Sequence, residues 1–344
     1  MIRSYKKGDE QQINALFHEV FRKQRSLVHW EWKFKENPLN SSVITVAEEN
    51  NEIAGHVALV PSKAKWYDRE VTFGARNDTM VSPRHQGKGF YKKLNLEMIS
   101  TAQEEGIDYL YGYPAEKAKE LFVRYTGAKE IASIPRLIRI NRLSSLVVNK
   151  LPVLKAAKPL VKIADLFLKN KTRIDSQKYL FKIISECGRE FDALWESSKG
   201  VAPILLKRDA QFLNWRFHRH PDRVYQMIAM YEKDMLCGYS VISIEEKTFG
   251  GGTVRNGTIV DMLAIENEEV WEQLLAGTLK DLEDADVIQT WALTHSSYFR
   301  TLKKFRFAHK DNPMPLVGKP VDPLLTEDDG IENWYITPAD VDSF

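Results

Sequence analysis

Cysteine is scarce in this 344-residue chain, which contains Cys187 and Cys237 and no others. Two cysteines are too few for a disulfide framework, and their spacing does not match a metal-binding motif. The sequence therefore predicts a protein of a reducing compartment that needs no metal. Both cysteines are expected to pack as small apolar residues in the core.

Long hydrophobic runs are also missing, since no stretch of 18 uncharged apolar residues occurs. Residues 1–7 (MIRSYKK) are followed by Gly8, Asp9 and Glu10 rather than by the apolar core of a signal peptide. Secretion and membrane spanning are therefore disfavoured, and a cytoplasmic location is expected.

The chain has no excess of charge of either sign. Lysine and arginine number 49 and aspartate and glutamate 47, so the formal net charge is +2. This balance provides no general attraction for DNA. A hydrophobic content of 43% with 28% charged residues is typical of globular proteins, and the length predicts about two domains.

An internal repeat relates the two halves of the sequence. Residues 32–38 (WKFKENP) resemble residues 215–221 (WRFHRHP), which lie 183 positions later. The same offset carries Gly55 onto Gly238 and Asp78 onto Asp261 without a gap. The sequence therefore predicts two copies of one fold.

The first copy contains alternating helical and strand patterns. An amphipathic helix is predicted after Gly8, a short helix over residues 30–34, and three strands over residues 43–47, 53–60 and 71–81. A helix over residues 90–105, a strand over 109–113 and a helix over 116–125 follow. This order predicts an α/β fold (an α+β arrangement with a mixed sheet) in two tandem lobes.

A basic segment separates the two copies. Residues 135–174 contain ten lysines and arginines and one acidic residue, Asp165. A linker helix packed between domains is one interpretation, and peripheral contact with a membrane or RNA is another. The predicted boundaries are 1–140 for the first lobe, 141–177 for the linker and 178–344 for the second lobe.

The most informative segment is residues 79–94 (TMVSPRHQGKGFYKKL), between a predicted strand and a predicted helix. Gly87 and Gly89 allow a tight turn with inward-pointing N–H groups, and the following helix start has free N–H groups and a partial positive charge. Lys88 adds a cation. The pattern indicates a phosphate-binding loop, although glycines also occur at such turns simply because they adopt positive φ.

This segment resembles motif A of the GCN5-related N-acetyltransferase (GNAT) superfamily, in which Val-x-Pro precedes Arg/Gln-x-x-Gly-x-Gly/Ala and a helix. Residues 81–83 (VSP) match the start, and Gln86 and Gly89 match in phase, whereas Tyr91 stands where the family has Gly or Ala. The order of predicted elements in residues 1–130 is similar to that of the family.

The resemblance implies acetyl-CoA as co-substrate and direct acyl transfer to a small-molecule or amine-bearing acceptor. No covalent enzyme intermediate is needed, which is consistent with the lack of a Gly-x-Ser-x-Gly motif. The cofactor-binding residues that it implies are Met80, Val81, Gln86, Gly87, Lys88, Gly89, Phe90 and Tyr91.

The catalytic residues follow less directly. The family's usual acid is a tyrosine where this chain has Phe122, and Tyr125, three residues later, is predicted in its place. Asp78 is the predicted general base. Its repetition as Asp261 favours a structural hydrogen bond instead. His85 either contacts phosphate or is a solvated loop residue.

The second copy lacks the phosphate-binding pattern. Its aligned residues, 264–271 (AIENEEVW), contain no glycine, and three glutamates would repel a pyrophosphate. A degenerate GNAT-like lobe that shapes the acceptor site is therefore predicted. Two alternatives remain: a Fem-type aminoacyl transferase that uses aminoacyl-tRNA, and a non-catalytic acyl-CoA-binding protein.

Overall fold

The protein, described by a computed structural model over residues 1–143, 174–249 and 252–342, is built on one mixed β-sheet. Thirteen strands belong to it within these residues. The α/β prediction with mixed pairing is confirmed. Most of the predicted linker lies outside the described residues, so the domain boundaries stay a prediction.

The first half has the element order that the sequence predicted. A short strand and two helices come first, followed by a three-stranded antiparallel meander, a helix, a parallel strand, a second helix and a final strand. The elements are β1 (Ile2–Ser4), α1 (Asp9–Phe21), α2 (Leu27–Phe34), β2 (Val43–Glu49), β3 (Glu52–Trp66), β4 (Arg69–Val81), α3 (Phe90–Glu104), β5 (Tyr109–Gly112), α4 (Glu116–Thr126) and β6 (Lys129–Ile140).

The second half repeats this order and adds one short strand. A π-helical turn at Asn214–His218 continues the counterpart of α2. The elements are β7 (Tyr179–Ile184), α5 (Arg189–Ser198), β8 (Ile204–Leu206), α6 (Ala210–Leu213), β9 (Gln226–Glu232), β10 (Met235–Phe249), β11 (Gly252–Ala264), α7 (Glu268–Asp281), β12 (Val287–Trp291), α8 (Ser297–Lys304) and β13 (Ala308–Pro320).

The two halves exchange their last strands. The strand order is β1-β2-β3-β4-β5-β13-β6-β12-β11-β10-β9-β7, with β8 pairing β3. Strand β13 therefore pairs with β5 of the first half, while β6 pairs with β12 of the second. Each half therefore completes the sheet of the other, and the two halves share one sheet instead of forming two separate sheets.

Equivalent residues of the repeat meet at the centre of the molecule. The Trp32 Nε1–H donates to the Trp215 carbonyl at 2.9 Å, and the Trp215 Nε1–H donates to the Trp32 carbonyl at 3.0 Å. The two rings stack with centroids 5.0 Å apart. Both side chains are buried, which confirms the interpretation that the repeated tryptophans belong to the core.

The repeated glycines are explained by close packing rather than by a turn. A Cβ on Gly55 would lie 2.9 Å from Leu94 Cδ1, and one on Gly238 would lie 2.8 Å from Ala264 Cβ. Each glycine lies on the middle strand of its meander, against the strand that leads to the next helix. A larger residue would force these strands apart.

Both cysteines are buried and free, as predicted. Among the described residues, no helix is both long enough and apolar enough to cross a membrane.

Candidate functional site

The site begins where β4 and β5 separate. These parallel strands pair over Phe73–Ala75 and Tyr109–Tyr111. After Ala75, β4 pairs with β3 alone among the described residues, as far as Met80 and Val81. The edge of β4 that faces α4 is therefore open, and its unpaired backbone groups can bind an extended chain.

The loop after β4 has the predicted phosphate-binding geometry. Gly87 and Gly89 have φ values of 80° and 76°, and a Cβ on either would meet nothing within 4 Å. No side chain caps α3, and within residues 1–143, 174–249 and 252–342 no acceptor takes the N–H groups from Gly87 to Lys92. The glycines thus satisfy both interpretations: positive φ and an open cradle of N–H donors.

A carboxylate from the neighbouring hairpin holds this loop. Glu49 accepts from Lys88 Nζ at 2.5 Å and lies 2.9 Å from His85 Nε2. Lys88, followed by His85, holds the pKa of Glu49 below its usual range. The Lys88 side chain is half exposed, whereas His85 is largely enclosed.

Two cavities meet at the point where the strands separate. One, of about 360 Å³, lies between β4 and α4 and is lined by Asp78, Thr79 and Phe122. The other, of about 110 Å³, lies between the halves and is lined by Trp32, Trp215 and other residues. Both cavities are lined by Arg76, Asn77, Gly112, Tyr113 and Asp342. We call these five residues the junction.

Tyr113 brings a phenol to the junction. It follows β5 directly, and burial raises the pKa of its hydroxyl well above the ordinary value. Tyr111, which lines the cavity between the halves, has its pKa raised for the same reason. Both phenols therefore keep their protons at neutral pH and can act as hydrogen-bond donors.

Asp78 is tied into buried ion pairs. Its carboxylate contacts Arg25, and Lys33 Nζ lies 3.0 Å from Asp78 Oδ1 and 2.6 Å from Asp342 Oδ2. Lys33 and then Arg25 hold the pKa of Asp78 well below its usual range despite burial. A carboxylate so stabilised is a weak base, and these contacts favour the structural interpretation of Asp78; its catalytic role stays a prediction.

The same cluster makes stability depend on pH through His56. This buried side chain donates its Nδ1–H to the Asp78 carbonyl at 2.8 Å, and burial lowers the pKa of His56 to about 4. The unfolded chain binds the proton more readily, so the stabilisation present above about pH 6.5 is lost as the pH falls towards 4.

We therefore expect the free energy of unfolding, measured with urea, to fall between pH 6.5 and 4. His56→Gln should remove up to about 1.4 kcal/mol per pH unit of that slope. His18→Gln is the control, because His18 is exposed. An unaltered slope in the His56 variant would contradict the assignment.

Tyr125 lies away from the junction. Its ring contacts Tyr91, with centroids 5.7 Å apart, and it lines neither cavity. Phe122, at the position where the family has its acid, is fully buried beside the larger cavity. Phe122 therefore lines the larger cavity, whereas Tyr125 lines neither cavity. The catalytic role of Tyr125 stays a prediction.

Tyr91, the departure from the family motif, has a defined partner. Its hydroxyl accepts a hydrogen bond of 2.9 Å from Arg76 Nη2, and Asn95 Oδ1 accepts from the same guanidinium. The Tyr91 ring packs towards α4, and the backbone N–H of Tyr91 remains one of the free donors of the loop. The substitution therefore leaves the N–H cradle intact.

The corresponding place in the second half is already filled. The Asn267 side chain accepts from Val270 N–H and caps α7. Glu269 pairs with Lys178 at 2.8 Å, and Glu268 pairs with Lys304. A capped helix start bearing carboxylates offers no site for a pyrophosphate, which supports the predicted degeneracy of this half.

None of the five junction residues was predicted as a site residue from the sequence, and three of them, Arg76, Tyr113 and Asp342, carry ionisable side chains. Tyr113 stands at the end of the predicted strand over residues 109–113, close to the glycine loop after β4. That position could have indicated a site residue. Asp342 had no such signal, because it reaches the site from the far end of the described chain.

Comparisons with known proteins agree with this geometry. Residues 1–121 match the family model described as an acetyltransferase (GNAT) domain. No curated protein matches the chain.

Solved structures share the fold over nearly the whole chain. A GCN5-related N-acetyltransferase from Anabaena variabilis has a TM-score of 0.68 at 14% identity, covering 93% of this chain and 73% of that one. A conserved Enterococcus faecalis protein described as a probable N-acyltransferase has a TM-score of 0.67 at 11% identity, with coverages of 94% and 73%. Eis1 from Mycobacterium abscessus has a TM-score of 0.60 at 16% identity, with coverages of 94% and 74%.

The family prediction made from residues 81–89 is thereby confirmed, and with it the general class of enzyme, an acetyltransferase. Residues 1–121 of this chain form a GNAT acetyltransferase domain.

Proposed function

We propose that the protein is an acyl-CoA-dependent N-acyltransferase that uses acetyl-CoA and an amine acceptor. The observation that carries the proposal is the continuity of the site. Free N–H groups at Gly87 to Lys92 lead along the open edge of β4 to the junction of the two cavities. This path offers donors for a pyrophosphate at one end and a cavity for the acceptor at the other.

When bound, acetyl-CoA supplies an acyl group activated as a thioester; transfer to an amine forms a C–N bond, breaks the C–S bond and moves one proton from nitrogen to sulfur. Tyr113, which keeps its proton, is placed to donate to the sulfur. Asp342 is 47% exposed, whereas Asp78 is 7% exposed and paired with two cations, so we assign the acceptance of the amine proton to Asp342. Lys33 orients that carboxylate.

The second half contributes to the acceptor cavity by holding the C-terminal segment in place. Arg208 Nη2 donates to Asp340 at 2.8 Å, and Arg216 Nη2 donates to the Val341 carbonyl at 2.8 Å. These contacts set Asp342 opposite the first half. In this proposal, the half without the loop shapes the acceptor site of the half that carries it.

Tyr113→Phe is expected to lower kcat by about 10- to 100-fold, because the leaving sulfur loses its proton donor. The affinity for CoA, measured by calorimetry, should stay unchanged, since the loop is untouched. Asp342→Asn should lower kcat in the same way. Tyr125→Phe is the discriminating variant. If it reduced kcat while Tyr113→Phe did not, the assignment from the family resemblance would hold instead.

The proposal as a whole is tested with the purified full-length protein. Calorimetry should show binding of acetyl-CoA, and a panel of amines should cause steady release of free CoA. Absence of acetyl-CoA binding would overturn the proposal. Binding without release for any amine would favour the non-catalytic acyl-CoA-binding protein. A salt-sensitive shift with tRNA, in the absence of acetyl-CoA binding, would favour the aminoacyl transferase.

A further inference from the structure

Arg76 lies at the junction, and no carboxylate of the described residues neutralises its guanidinium. Its Nε and Nη2 donate to Asn95 Oδ1 at 3.2 and 3.0 Å, and Nη2 also donates to the Tyr91 hydroxyl at 2.9 Å. Its guanidinium carbon lies 4.3 Å from the centre of the Phe122 ring. All three partners are neutral.

The ion pairs of Asp78 and Asp342 do not involve Arg76. Arg25 and Lys33 are matched by Asp78 and Asp342. Across the described ranges, no carboxylate oxygen lies within 4.0 Å of Arg76. Burial lowers the pKa of Arg76, and the opposing influence comes from Tyr91. A half-buried guanidinium without a counter-ion is costly, and an anionic ligand would remove that cost.

The guanidinium is also oriented to bind. Three of its N–H bonds are used by Asn95 and Tyr91, which leaves the Nη1 group without a described acceptor. Arg76 lines both cavities, so it lies where an acyl group and an acceptor would meet. Asn95 is itself fixed, because its Nδ2 donates to the Tyr91 carbonyl at 2.6 Å. Neutral partners thus hold the charge in place without cancelling it.

We propose that Arg76 binds a carboxylate carried by one of the two substrates at the junction. The transferred group is then a dicarboxylic acyl group, or the acceptor is an amine that also bears a carboxylate, as an amino acid does. Planar guanidinium groups recognise carboxylates with directed, charge-assisted hydrogen bonds. This inference rests on the proposed acyltransferase function and deepens it by naming the substrate class.

The first arm of the test concerns the acyl donor. Calorimetry compares succinyl-CoA with butyryl-CoA, which has the same chain length and no terminal charge. If the acyl group carries the anion, the protein should bind succinyl-CoA about 10- to 100-fold more tightly, and Arg76→Gln should abolish this preference. Binding of butyryl-CoA to each protein measures any loss that does not depend on the terminal carboxylate, so the readout is the ratio of the two affinities.

The second arm concerns the acceptor. Release of free CoA from acetyl-CoA is measured with phenylalanine and with phenethylamine, which differ in the carboxylate. If the acceptor carries the anion, kcat/KM should favour phenylalanine by about 10- to 100-fold, and Arg76→Gln should remove the difference. The rate of Arg76→Gln with phenethylamine measures any loss that does not depend on the carboxylate, so the readout is the ratio of kcat/KM between the two acceptors.

Two further variants separate recognition from folding. Arg76→Lys should retain part of the preference, because it keeps the positive charge. Arg69→Gln is the matched control, since Arg69 lies on the same strand, is 43% exposed and lines neither cavity. If Arg76→Gln does not fold, Arg76→Lys decides the matter: a preference equal to that of the unaltered protein overturns the inference, and a reduced preference supports it.

The outcomes distinguish this inference from the proposed function. A protein that binds acetyl-CoA and acylates amines, but shows no carboxylate preference in either pair, overturns the role of Arg76 and leaves the acyltransferase intact. A preference that persists in Arg76→Gln also overturns it. A protein that binds no acyl-CoA overturns both. A preference in one pair, lost in Arg76→Gln, identifies which substrate carries the carboxylate.

Discussion

Replacing Gly87 with Glu is expected to weaken acetyl-CoA binding by about 100-fold or more, equivalent to about 3 kcal/mol. The carboxylate would project into the open space beside the free N–H groups, where a pyrophosphate belongs. It would repel that anion and accept the N–H bonds itself. Titration calorimetry with acetyl-CoA measures the loss directly.

Gly106→Glu is the matched control for this substitution. Gly106 follows the other end of α3 with φ of 69°, close to the 80° of Gly87, and a Cβ there also meets nothing within 4 Å. The strain of a positive φ is therefore similar in both variants, while the charge is remote from the loop. Equal loss of acetyl-CoA binding in the two variants would show that strain, and not the anion site, is responsible.

Arg208→Met is expected to lower the free energy of unfolding by about 3–5 kcal/mol. The Arg208 side chain is fully buried and pairs with Asp261 at 3.2 Å and with Asp340 at 2.8 Å. Its removal leaves both carboxylates buried without a cation. Arg208 also donates to the Leu206 carbonyl, so the variant loses a link between β8 and the C-terminal segment.

Two other arginines provide a comparison for this loss of unfolding free energy. Arg25, its counterpart in the repeat, contacts Asp78, which also keeps Lys33, so Arg25→Met should cost less than Arg208→Met. Arg142 makes a surface ion pair with Asp284, and Arg142→Met should cost about 0–1 kcal/mol. Urea unfolding of the three variants tests the order, and similar values for Arg208 and Arg142 would refute it.

Several elements could be predicted closely from the sequence because their signals are local. The amphipathic pattern and the glycines gave α1, α3 and the loop between β4 and α3 within a residue or so. Strand β3 is longer than predicted, reaching Trp66 instead of ending near residue 60. Residues 63–66 (KAKW) alternate polar and apolar side chains, so the extension had a short local signal, and β4 and β8 pair with it from either side.

The exchange of β6 and β13 had no signal in the sequence. Both strands follow a helix in their own half, and either sheet offers the same free edge. The choice of partner depends on how the two halves pack, which local propensity does not report. The repeat nevertheless predicted that the halves would be alike, and the reciprocal contacts of Trp32 and Trp215 show its structural basis.

By itself, the sequence determined the repeat, the glycine loop between β4 and α3 and the absence of that loop from the second half, because each depends on residue types at fixed local spacing. Only the tertiary structure decided which groups surround the reacting atoms. Strand separation after Ala75, burial near Phe122 and the return of the C-terminal segment bring Arg76, Tyr113 and Asp342 together. Their proximity, and the effect of burial on the pKa values of Arg76 and Tyr113, arise from packing between residues that are far apart in the chain.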